Sequence, residues 1–224
     1  MLATNSWRNA YSRIWSEIIP KRMQNEVIMS KTSMLQGITE LNFDACNYDN
    51  QTNGNHLNAL WASDILGRLA YNGLDFVTWY TGYGAQGYST IYPDNPDAPT
   101  QLFLRPSYYA FYMYNKYFGN QMVESTSYNN ANISIWASTD SADPGKLKLR
   151  ITNLTNSAIT APINLTGFNA TTGNVYLLQS TNPADVSATS NTASAPTTIN
   201  GKKLQAMSVV QSGAAIVPTM ITVN

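Results

Sequence analysis

Hydrophobic residues in the first 124 positions alternate between the helical and the strand period. Trp7, Tyr11, Ile14, Trp15, Ile18 and Ile19 return every three or four residues. They predict an amphipathic helix that Pro20 interrupts or ends, unless it opens a second helical piece. Residues Met34 to Leu41 read as a buried strand, followed by an Asn- and Asp-rich loop from Asn42 to Asn55. Leu57, Leu60, Trp61, Ile65, Leu66 and Leu69 form the next helix face, closed by Asn72-Gly73 in the manner of a left-handed cap. Leu74 to Tyr80 is the next strand. A long loop of Gly, Tyr and Pro leads to Pro106, which opens a helix with a dense apolar face from Tyr108 to Phe118, and Gly119 is its stop. Helix, strand, helix, strand, helix implies parallel strands with crossover helices.

From about Tyr128 the helical period disappears. Short β-rich runs replace it at Ile133 to Ala137, Lys146 to Asn153, Ala158 to Leu165, Val175 to Gln179, Met207 to Val210 and Ala215 to Val223. Clusters of Gly, Pro, Asn and Ser separate them at the spacing of a β-sandwich. Residues 182 to 200, rich in Ala, Ser and Thr, read as a long loop, and no internal repeat is visible. The expected fold is therefore α/β plus all-β. Residues 1–124 form the last strands and helices of a partial (β/α)8 TIM barrel, far short of the roughly 250 residues of a complete one. Residues 125–224 form a C-terminal antiparallel β-sandwich. Trp136, in an alternating strand, is expected in its core.

Composition narrows the partners. The 224 residues carry 13 Lys+Arg and 13 Asp+Glu, and only 12% are charged against a usual share of about 25%. A net charge of zero supplies no field for nucleic acid, anionic lipid or a strongly charged substrate, so the expected ligand is neutral. One Cys and one His cannot make an internal disulfide or a zinc site of soft ligands, and no cofactor or metal is expected. No run is long and apolar enough for a membrane span, and residues 1–8 lack the apolar run of a signal peptide. The chain is thus either cytoplasmic or part of a longer one. Three Asn-x-Ser/Thr triplets, at Asn132, Asn153 and Asn164, are what an Asn- and Thr-rich chain produces by chance or permit glycosylation.

Glu40 is the residue that most changes the picture, because a carboxylate ends an otherwise apolar strand. In α/β barrels the carboxyl ends of the strands build the active site. By the period of two, Glu40 shares a face with Ile38 and Met34, pointing into a barrel above an apolar layer. The plainer alternative is a carboxylate paired with an Arg or capping the next helix. Trp79 ends the following strand on the face of Val77, where its indole either floors a sugar site or closes the core. Tyr80, Tyr83, Tyr88 and Tyr92 follow in a Gly-rich loop that could line a glycan cleft or simply pack.

The string Ile38-Thr39-Glu40-Leu41-Asn42 resembles the seventh-strand motif of retaining clan A glycoside hydrolases, in which a Glu at this place is the nucleophile. Family 44 is the nearest likeness. It shows a similar Ile-Thr-Glu-aromatic-Asn string, then a helix like Ala62-Ser63-Asp64-Ile65-Leu66-Gly67-Arg68 and a strand ending like Val77-Thr78-Trp79. Residues Arg105 to Ala110 look like the opening of the eighth barrel helix, and a β-sandwich follows. The likeness covers residues 34–124 well and the remainder loosely, and Leu41 stands where the family has an aromatic. It implies Glu40 as nucleophile, and the expected substrate contacts are Asn42, Trp79, Tyr80, Tyr83 and Tyr88. It also implies a secreted enzyme whose leader lies outside this sequence.

Retaining hydrolysis needs a second carboxylate about 5 to 5.5 Å from the first. Asn25-Glu26 has the dipeptide form of the clan's acid/base, but it lies too few residues before Glu40 for the intervening strands and helices. The acid/base is expected to be missing, with Asp44 and Asp49 as weak substitutes. Asp49 to Gly54 spaces its oxygen ligands like a calcium loop, yet Leu60 stands where a bidentate Glu belongs. Cys46 with His56 lacks an orienting third residue. The expected activity is retaining hydrolysis of a β-linked plant polysaccharide such as cellulose, xyloglucan or mannan. Its rivals are a non-catalytic carbohydrate-binding module and a structural fragment that forms a homo-oligomer through open barrel edges.

Overall fold

The computed structural model describes residues 35–42, 54–84, 89–126, 132–155, 157–181, 197–202, 204 and 207–208. The expected helix over residues 7–19, Glu26, Asp44, Cys46, Asp49, Tyr88 and the expected strand over residues 215–223 lie outside them. Among the described residues no helix is long and apolar enough to cross a membrane.

The elements run in the order β1 (Gly37–Leu41), α1 (His56–Tyr71), β2 (Phe76–Trp79), β3 (Ile91–Pro93), β4 (Gln101–Leu104) and α2 (Pro106–Tyr117). After them come β5 (Gln121–Val123), β6 (Ile133–Asp140), β7 (Asp143–Asn153), β8 (Leu178–Ser180), β9 (Thr197–Ile199) and β10 (Met207–Ser208). Two compact units share these elements. One holds Met1–Ile38, Ser63–Val77 and Met113–Val175, and the other Thr39–Ala62, Thr78–Tyr112 and Tyr176–Asn224.

β1, α1 and β2 form the βαβ unit that the alternating pattern implied. The Asp75 N–H donates to the Gln36 carbonyl at 2.8 Å, and the Tyr80 N–H to the Leu41 carbonyl at 3.1 Å. Both bonds join residues equally far apart in sequence, as only a parallel pair does. Asn55 caps α1, its Oδ1 accepting from the Leu57 N–H at 3.0 Å. At the other end Gly73 takes φ 76°, with the Gly73 N–H bonded to the Ala70 carbonyl and the Leu74 N–H to the Leu69 carbonyl. That is the Schellman closure, and Gly is used because a side chain strains at this φ. Gly119 stops α2 for a different reason. A Cβ there would lie 2.2 Å from the Thr139 carbonyl oxygen, and its N–H donates to Ser138 Oγ at 2.8 Å.

In the first unit β5, β6 and β7 make an antiparallel sheet in that order, with Trp136 opposite Arg150. Trp136 is 9% exposed, in the core as expected. Its Nε1 donates to Asp64 Oδ1 at 3.3 Å, the Arg68 guanidinium lies 5.5 Å from its ring, and a Cβ at Gly67 would meet the indole at 2.3 Å. Arg150 Nη2 donates to Ser63 Oγ at 2.7 Å, and its guanidinium stacks 4.7 Å over Tyr114. Burial pulls the Arg150 guanidinium down to about 10. The Ser63-Asp64-Gly67-Arg68 stretch of α1 is therefore the seat of this sheet.

In the second unit β3 and β4 form a hairpin where a loop was expected, and β10 pairs with the other edge of β4. Asx geometry makes the turn: Asp94 Oδ1 accepts from the Asn95 and Thr100 N–H groups, both at 2.9 Å, and Asp94 Oδ2 accepts from Thr100 Oγ1. Those bonds hold the Asp94 carboxyl down at about 2. Thr197–Ile199, inside the expected loop over residues 182–200, is a strand paired with β8, as β-branched residues favour. Conversely, the expected strand Ala158–Leu165 is irregular, with Ile163 and Leu165 both exposed. Pro162 at its centre has no N–H for a ladder. Among the described residues the parallel sheet has two strands and the β5–β6–β7 sheet has three.

Candidate active site

Glu40 lies one residue from the C-terminal end of β1, with its side chain exposed. The backbone on both sides of it is held from β2: Thr78 Oγ1 donates to the Thr39 carbonyl, and the Tyr80 N–H to the Leu41 carbonyl. Asn42 adds a third tie, its Nδ2 donating to the Tyr80 carbonyl while its Oδ1 accepts from Asn58 Nδ2 at 3.3 Å. The Asn42 amide is thus engaged on both atoms. The strand end that carries the exposed Glu40 is thus tied three times to Thr78 and Tyr80, so the side chain can reach a ligand while its Cα is held.

Trp79 ends β2 and is half-buried. Its ring meets Phe111 edge-on at 4.9 Å and Trp61 at 5.7 Å, and it packs against Ala59, Ala62 and Ala110. The alanines explain the fit, since only small side chains on α1 and α2 leave room for an indole. Among the described residues its buried Nε1 has no hydrogen-bond partner. Trp79 therefore serves first as packing, and only its exposed part is available to a sugar. Tyr80 and Tyr83 are open to solvent at 46% and 50%. Tyr92 is on β3 beneath the Arg105 guanidinium, 4.6 Å from its centroid. Arg105 is itself buried, donates through Nε to Ser89 Oγ at 3.3 Å, and is pulled by burial to about 10.

The competing readings reach outside the described residues through Cys46 and Asp49. His56 is buried with Nδ1 3.1 Å from Thr197 Oγ1, and burial lowers it to about 4. Residues 56–60, which would be the end of a calcium loop, already belong to α1. Among the described residues no three His, Cys, Asp or Glu side chains come together. Among the described residues the nearest other carboxylates in sequence have partners of their own: Asp64 with Arg68 at 3.2 Å and with Trp136, and Asp75 with the Gln36 N–H at 2.7 Å. Asn58, Thr78, Trp61 and Phe111 belong to the site and were not singled out in the sequence. Asn58 had a signal, an amide three and four residues before Trp61 and Ala62 and so on the apolar face of the helix.

No protein-family model matches the chain, and no curated protein matches it. Solved structures do. The crystal structure of CelM2, a bifunctional glucanase-xylanase protein from a metagenome library, is similar at 26% identity with a TM-score of 0.50, over 68% of this chain. This chain spans 28% of that one. By fold and by sequence it is therefore similar to part of a glycoside hydrolase.

Proposed function

We propose that the chain is part of a retaining glycoside hydrolase acting on a β-linked plant polysaccharide, with Glu40 as nucleophile. The observation that carries the reading is the exposed Glu40 carboxylate at the carboxyl end of a parallel strand whose backbone β2 fixes on either side. The similarity to a glucanase-xylanase supports a glucan or xylan as substrate class. In the reaction a Glu40 oxygen bonds to the anomeric carbon as the glycosidic C–O bond breaks, and the leaving oxygen takes a proton from an acid. Water then cleaves the glycosyl ester and restores the carboxylate. The partial barrel, the sandwich and the family 44 assignment rest on the sequence strings quoted above, and secretion follows from the substrate.

An aryl β-glucoside with a good leaving group tests this, because its departure needs little acid help. Glu40→Gln is expected to lose three or more orders of magnitude in turnover, about 4 kcal/mol or more of transition-state stabilisation, with an unchanged fold. Wild-type rates in that variant would contradict the proposal. A binding-only fragment is the second reading, favoured by the commitment of Asp64 and Asp75 to other partners. It predicts glycan binding and no turnover of the aryl substrate by the wild-type chain.

A further inference from the structure

We infer that Asn58 is a positioning residue for Glu40, an inference that rests on the proposed role of Glu40 as nucleophile. Asn58 is in the first turn of α1, entirely buried, two residues after the buried His56 and beside Ala59 of the Trp79 packing cluster. A buried amide in that apolar setting costs stability unless it makes hydrogen bonds. Its Nδ2 donates to Asn42 Oδ1, which orients the Asn42 amide so that its Nδ2 donates to the Tyr80 carbonyl. Tyr80 in turn donates its N–H to the Leu41 carbonyl. The relay runs from the helix to the end of β1, across to β2, and back to the residue next to Glu40.

Amide polarity makes the relay directional. Asn58 Nδ2 on Oδ1 and the Tyr80 carbonyl on Nδ2 both favour the same orientation of the Asn42 amide, and without Asn58 a flipped amide, its oxygen set against the Tyr80 carbonyl, is less disfavoured. The strand end would then lose its tie beyond Leu41, and Glu40 would sample positions short of attack. A misplacement of about 1 Å is enough to cost on the order of 100-fold in rate. Asn58 touches no substrate in this account and acts through Asn42 and the strand end, so its loss is expected to slow the attack step more than it weakens binding.

Two measurements on the intact chain test the inference, with Asn58→Ala and the size-preserving Asn58→Leu. In hydrogen exchange, the Tyr80 amide at the Glu40 end of the sheet is expected to lose protection by at least tenfold in both variants. The Asp75 amide, bonded to Gln36 at the other end, is expected to keep its own. In labelling by an activated 2-fluoro glucoside, the maximal rate is expected to fall tenfold or more with the half-saturating concentration within twofold. Equal loss at both amides in both variants would mean general destabilisation, and an unchanged labelling rate or a changed half-saturation alone would equally overturn the inference. A wild-type chain that takes no label sinks the nucleophile reading itself, and the exchange pattern still decides whether Asn58 holds the strand end.

Discussion

Gly67 sits inside α1 where an alanine would ordinarily add about 1 kcal/mol of helix stability. Here the Cβ would fall 2.3 Å from the Trp136 ring, closer than carbon atoms approach. Gly67→Ala is therefore expected to destabilise by about 1–3 kcal/mol in urea titration, the range of overpacking, and a stabilised variant would contradict the packing of Trp136 on α1. The residue was visible in the sequence as part of a family-like string, but its reason was not, because the indole that needs the space is far along the chain. His56 carries the second expectation at this scale. Its imidazole is held neutral by burial, at about 4 against 6.5 when free. The folded state thus binds its proton less readily than the unfolded one, so this contribution is complete above pH 6.5 and is lost as the pH falls from there to about 4. The gap is worth about 3 kcal/mol. Unfolding titrations at pH 7 and pH 4.5 should differ in the wild type and much less in His56→Asn, and an equal pH dependence in both would contradict it.

α1, α2 and the β1–α1–β2 unit were legible because each carries its own signals: an apolar face at helical spacing, Pro106 at a start, Gly73 at an end. The β3–β4 hairpin was not, since its turn is built by side-chain bonds of Asp94 and Asn95 in a stretch whose composition reads as loop. Ala158–Leu165 misled in the opposite direction: its residues favour strands, but a strand exists only with a partner, and Pro162 breaks the ladder. Trp79 shows the same division within the site. Its place at the end of β2 could be read from the sequence, but the alanines and Phe111 that receive its ring come from α1 and α2 and could not. Trp79→Ala is expected to cost about 3 kcal/mol, as a large aromatic leaves a cavity. Trp79→Phe is expected to stay within about 1 kcal/mol, because it also removes a buried N–H without a partner. If calorimetry ranked the two variants equally, the indole would not be packed as described.

At the scale of the molecule, the low charge and zero net charge point to a neutral ligand, the kind that the proposed function requires. Among the described residues β1 and β2 pair only with each other, and Leu35 and Phe76 beside them are 75% and 41% exposed. Parallel strands are seldom left bare, so the chain is expected to self-associate with rising concentration in sedimentation velocity. A single monomeric species throughout would contradict that. What the sequence could not supply was a second carboxylate beside Glu40, since that depends on which distant segments meet and not on any local pattern. The most direct measurement of the central claim is therefore the site of covalent capture. After incubation with an activated 2-fluoro glucoside, peptide mapping by mass spectrometry is predicted to find the glycosyl ester on Glu40 and to find none in Glu40→Gln. A label on any other residue, or persistence of the label in that variant, would contradict the account.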